Sequence, residues 1–191
     1  MAQKHLDLPW NVCRTEVYSG TALERRLAEE GRLEGDYVSY GYRMRDARAE
    51  VMFRILRVCL HERALAMDAL QNRLISVSFA RQLHERYFPG PSTARLAQEA
   101  VALGAAVRQD TVDVLRRTLD FVTSADLGDK AKAKRFAVEL ALAINRRDLA
   151  WRAQTEDLWE KLHARGVALM ARRGAMPPAR VRAGWAVASG S

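Results

Sequence analysis

Between Met44 and Phe88 the apolar positions keep helical time for about forty-five residues without a proline or glycine. Met52, Leu56, Leu60, Met67, Leu70, Leu74 and Val77 follow one another by steps of three, four or seven. That spacing aligns one face of a 3.6-residue helix. Unbroken, the helix would reach roughly 65 Å, longer than a compact domain of this size is wide. Its polar face carries Arg48, Arg54, Arg57, His61, Arg63, Arg73 and Arg81, and Glu50 stands one turn before Arg54, where the two charges support the helix. Helix propensity dips at Ile75 to Ser78, so that is where a bend is expected.

Pro89, Gly90 and Pro91 stop this helix, and so short a stop predicts a tight turn and an antiparallel return. The second long helix is expected from a cap at Ser92 or Thr93 to about Val122. Small residues from Ala97 to Ala106 let neighbouring backbones come close, which makes it the candidate for the most enclosed element. A turn at Asp126, Gly128 and Asp129 leads to a third helix, capped by Asp129 and running from Lys130 to about Arg173. Phe136, Leu140, Ile144, Trp151, Leu158, Leu162 and Leu169 form its stripe. Asn145, Arg146, Arg147 and Asp148 interrupt the stripe at its midpoint, where polar groups must be satisfied, exposed or placed at a kink. Gly174, Pro177 and Pro178 end the helix.

Ahead of the long helices, residues 1–20 show no helical rhythm and read as an extended arm bearing Leu6, Leu8, Trp10, Val12 and Val17. Whether those side chains dock on this chain or on another is open in the sequence. Thr21 with Glu24 spells a capping box for a short helix from Ala22 to about Glu30, closed by Gly31. Tyr37, Tyr40 and Tyr42 cluster around Gly35 and Gly41, either as a recognition surface or, more commonly, as a loop packed on helix ends. The pattern therefore predicts an all-α chain: an elongated antiparallel bundle of about three long helices, a short N-terminal helix and extended termini. Its expected divisions are an arm with the short helix (1–42), the long-helix bundle (43–174) and a basic tail (175–191).

Composition agrees with that class, since only five prolines and eleven glycines occur among 191 residues. Charge adds something the pattern lacks. The formal net charge is +8, and no acid follows Glu160, whereas Lys161, Arg165, Arg172, Arg173, Arg180 and Arg182 do. A block of that kind favours an anionic partner: an acidic protein surface, RNA or DNA, or anionic lipid headgroups. Two cysteines, Cys13 and Cys59, are too few for a disulfide framework, and Cys59 sits in the apolar repeat as a small core residue. The first twenty residues lack the apolar segment of a secretory signal, and the longest apolar run, Ala137 to Ile144, falls well short of a membrane span. The expectation is a soluble or peripheral intracellular protein, not secreted and not membrane-spanning, of the cytoplasm or an organelle matrix, the mitochondrial matrix included.

Signatures of chemistry are sparse. The sequence holds no phosphate-binding glycine loop, no dinucleotide fingerprint, no zincin histidine pair and no Cys-x-x-Cys. A carboxylate-bridged metal pair needs two Glu-x-x-His motifs, and only Glu160 with His163 fits. No catalytic residue, metal or cofactor is expected. The reading that follows is a non-catalytic scaffold or interaction subunit of a multiprotein assembly. It would attach to other protein subunits through the N-terminal arm and basic tail. Its candidate contact residues are Trp10, Tyr18, Tyr37, Tyr40, Tyr42, Arg172, Arg173, Arg180, Arg182 and Trp185, because aromatic and arginine side chains dominate binding hot spots. The alternative is a helical nucleic-acid-binding protein using the basic tail and the arginine-rich helix face.

Overall fold

The structure, a computed structural model, describes residues 13–172. These residues are mostly helical, and one two-strand ladder stands among the helices. Helix α1 (Ala22–Glu29) starts at Thr21, whose hydroxyl accepts the Glu24 amide at 3.2 Å. The Glu24 carboxylate reaches one residue further back than the capping box predicts, to the Gly20 amide at 2.7 Å. Beyond Gly31 the expected tyrosine loop is a small hairpin, with β1 (Leu33–Glu34) antiparallel to β2 (Gly41–Tyr42) and Leu33 opposite Tyr42. Gly35 holds φ at 82°, and a Cβ there would collide with the Ser39 carbonyl oxygen, so the turn requires glycine.

The long helix expected from Met44 to Phe88 is two helices. Asp46 accepts the Arg48 amide at 2.8 Å and opens α2 (Ala47–Cys59), which gives way to a single π-helical turn at His61–Leu65. The chain then passes through an extended Ala66 before α3 (Leu70–Tyr87) begins. Neither proline nor glycine causes this break. Its extra residue turns Arg63 inward to buried Asp148 and half-buried Asp110 on the other long helices, and Met67, assigned by its spacing to the core stripe, is 97% exposed. Arg152 covers carbonyls that the break leaves free, donating to Glu62 at 2.7 Å and Asp68 at 2.8 Å. The low helix propensity at Ile75 to Ser78 does not break α3, which stays helical through those residues.

Helix α4 (Pro91–Ser124) begins one or two residues earlier than its expected cap, with Pro91 in the first turn, where its missing N–H costs nothing. Thr93 does not cap the helix; its hydroxyl donates to the Phe88 carbonyl at 2.7 Å and ties the turn to the end of α3. Asp129 accepts the Lys132 amide at 2.8 Å at the start of α5 (Lys130–Arg172), whose 43 residues span about 65 Å.

Two apolar layers hold the long elements together. In the first, Ile55, Leu56, Cys59 and Leu60 meet Val114 and Val122 of α4 and Ala137, Leu140 and Ile144 of α5. In the second, Leu70, Leu74 and Val77 meet Leu96, Ala100, Leu103 and Val107 of α4 and Leu158 and Leu162 of α5. Partner residues ascend along α5 and descend along α4 as the chain passes from α2 to α3, so α4 meets both arms in reverse order. Among the described residues no helix is long and apolar enough to cross a membrane.

Candidate functional site

Between the two apolar layers lies a buried layer of charge. Arg63, on the π turn, donates from Nε to both Asp148 carboxylate oxygens at 3.1 and 3.2 Å, and from Nη2 to Asp148 at 2.6 Å and Asp110 at 2.7 Å. Its Nη1 donates to the Thr111 hydroxyl at 3.0 Å, and Trp151 lies against the guanidinium at 5.3 Å. Arg147 reaches the other oxygen of Asp110 at 2.8 Å. Burial alone would oppose the charge on Arg63, but Asp148 and Asp110 outweigh it and leave the proton held more firmly than on an ordinary arginine. Every nitrogen of the guanidinium is thereby occupied. The set joins the break between α2 and α3 to the polar midpoint of α5 and to α4, so it fixes how the arms register on one another.

A second buried titratable group closes the far end. His84 of α3 lies against Gly166 of α5, and burial, followed by the nearby charge of Arg165, holds its pKa below the usual histidine value. Arg165 in turn donates to the Thr93 hydroxyl at 3.1 Å. Among the described residues no group of three His, Cys, Asp or Glu side chains is placed to hold a metal ion.

The residues singled out in the sequence do not converge on one place. Tyr18 is exposed, and its hydroxyl donates to Glu16. Tyr37 is 79% exposed at the tip of the hairpin. Tyr40 turns inward and donates to Glu24 at 3.0 Å. Tyr42 is half-buried beside the Arg14 guanidinium, which also lies over Phe53 at 4.1 Å and grips both oxygens of Glu50 at 2.7 Å. That arginine clamp fastens the N-terminal segment to α2, and no local spacing foretold it. Arg172 is exposed at the last turn of α5. Trp10, Arg173, Arg180, Arg182 and Trp185 lie outside the described residues.

The surface holds an aggregate the sequence reading missed. Ile75, Phe79, Leu83 and Tyr87 stand four residues apart along the outer side of α3, all exposed, with Phe79 at 63%. On α5, Val138, Leu142 and Leu149 form a second exposed row. Steps of four and seven residues keep side chains on one face of a helix, so these are ridges, not scattered residues. The signal was present: α3 carries apolar residues outside the register of Leu70, Leu74 and Val77, and a helix apolar on more than one side has more to cover than one core. Comparison with protein-family models, with curated proteins and with solved structures found no match to this chain.

Proposed function

We propose that this chain is a non-catalytic interaction subunit of a larger protein assembly, built as an elongated antiparallel arrangement of three long helical arms. The observation that carries the reading is the outer ridge of α3, where Ile75, Phe79, Leu83 and Tyr87 meet solvent in a continuous line. A lone soluble chain gains nothing from a ridge of that kind, whereas a neighbouring subunit that covers it removes apolar area from water. Aromatic anchors on a rigid helix also lose little conformational entropy on docking. The buried Arg63 cluster supports the same reading: it stiffens the platform, and Asp148, Asp110 and Thr111 already hold every nitrogen of its guanidinium. The N-terminal arm and basic tail, together with a cytoplasmic or organelle-matrix location, belong to the proposal on sequence grounds alone.

The nucleic-acid alternative draws less support from the geometry. Arginines assigned to a phosphate-binding helix face are engaged elsewhere: Arg54 pairs with Glu50, Arg63 with Asp148, Arg73 with Glu156 and Arg81 with Glu85. The test is site-specific photo-crosslinking in cells, with the photoreactive residue at position 79 and, as control, at Arg116. A discrete crosslinked protein species from position 79 and none from 116 is the expected result. No crosslink from position 79, or the same species from both, would overturn the reading.

A further inference from the structure

A second open surface lies between α2 and the first turns of α5. It is a groove of about 540 Å³ whose walls include Val51, Ile55 and Val58 of α2 and Ala137 and Val138 of α5. Val58 and Val138 are both exposed, and the groove runs into the row continued by Leu142 and Leu149. From Lys130 to Leu149 this strip covers about 28 Å of α5. Helix α4 packs against both α2 and α5, and apart from Leu127 of the turn before α5 the residues lining the groove all belong to those two helices. Two adjacent helices with an apolar channel between them are the seat into which the ridge of a further helix fits, as in a four-helix bundle.

The rim says what kind of helix. Arg54 stands on one wall, and Lys130 and Lys134 on the other. Glu50 is the one acid among the described lining residues, and Arg14 and Arg54 already hold it. Neither Lys130 nor Lys134 has an ion pair among the described residues. Both sit in the first turns of α5, together with Lys132 and Arg135, and no acid accompanies them in the first turn. Cations at a helix N-terminus oppose the helix dipole; Asp129 at the cap answers part of this charge, and the remainder is relieved by negative charge brought from outside.

We propose that the α2–α5 groove seats an amphipathic helix of about 18 residues from a partner protein, its apolar ridge in the channel and acidic residues on its flanks. This deepens the interaction-subunit reading and rests on it. Charge separates this occupant from the nearer ones. A second copy meeting the groove face to face would set Arg54, Lys130 and Lys134 against their own equivalents. Residues 1–12 carry a single acid, Asp7, balanced by Lys4, and the chain after Glu160 has no acid at all.

The test uses the full chain and two fluorescein-labelled designed helical peptides of about 18 residues. Both carry the same leucine ridge; one is flanked by glutamates and the other by lysines. The expected result is at least a tenfold tighter binding of the glutamate peptide by anisotropy. That preference should vanish in Lys130→Glu/Lys134→Glu, whose exposed positions leave folding intact, and should persist in Phe79→Glu. Equal binding of the two peptides, or a preference unmoved by the charge reversal, would overturn the assignment. So would displacement of the glutamate peptide by a synthetic 1–12 peptide, or self-association abolished by Val138→Asp, since either gives the groove to this chain itself. A chain that fails here yet still crosslinks through position 79 loses the groove assignment and keeps its role as an interaction subunit.

Discussion

Arg63 and Asp148 face one another across 85 residues of sequence, each 2% exposed, with Nη2 of the arginine 2.6 Å from the aspartate Oδ1. Removing either partner strands a buried charge, which costs far more than a surface pair is worth. Asp148→Ala and Arg63→Met should each lower the unfolding free energy by about 3 to 5 kcal/mol in urea titrations followed by circular dichroism. Replacing both, as Arg63→Met/Asp148→Leu, should cost less than the sum of the single changes, because no charge is left alone. Single changes costing less than about 1 kcal/mol would show that water reaches this layer.

His84 gives the fold a dependence on mildly acidic pH. Its folded pKa lies below the ordinary 6.5, because burial and the charge of Arg165 disfavour the imidazolium; His163 lines the same cleft. The unfolded chain therefore binds the proton more readily. The associated stability is complete above pH 6.5 and is lost as pH falls through 6.5 toward the depressed folded value. Thermal melts from pH 7.5 to 5.5 should show a falling midpoint in the wild-type chain and a flatter response in His84→Gln. Glu50 does not confuse that window. Burial would raise its pKa, but the Met44 amide, Arg54 and Arg14 outweigh it, so its contribution is lost only as pH falls below its ordinary 4.5.

The two cysteines should differ in reactivity. Cys13 is exposed, whereas Cys59 is buried and its thiol, which donates to the Ala137 carbonyl at 3.2 Å, is pushed up to about 11 by burial. A disulfide-exchange reagent at pH 8 should label one thiol per native chain promptly and the second only in denaturant. Prompt labelling of both would mean that the layer containing Leu56 and Leu140 opens readily.

What could be read from the sequence divides along a physical line. Local signals were legible: the Thr21 cap, the turn at Pro89 to Pro91 and Asp129 at the start of α5 each depend on residues within one turn of each other. The polar interruption at Asp148 was visible too, but its partner was not, because Arg63 sits 85 residues away and local periodicity carries no such pairing. For the same reason the break after Cys59 was missed. The stretch has no helix breaker, and the tertiary demand of Asp148 and Asp110 for a cation sets the π turn. Phe79 escaped notice because a periodicity search assigns one face to a core and leaves a second apolar row unexamined. Tyr40 and Tyr42, grouped with Tyr37 on composition, are drawn inward by Glu24 of α1 and Arg14 of the N-terminal segment, contacts that appear only once the hairpin folds back between them.

Substituting the outer ridge should separate folding from assembly. Ile75→Glu/Phe79→Glu removes exposed apolar side chains that belong to neither core layer, so the change in stability should stay within about 0.5 kcal/mol per site. The most direct measurement is native mass spectrometry of the chain isolated gently from its own cells, wild type against this double variant. The 21.5 kDa wild-type chain should appear in a stoichiometric complex with a different protein, and the variant should appear alone with an unchanged melting curve. A wild-type chain that flies alone, or a variant that keeps its partner, would contradict the account.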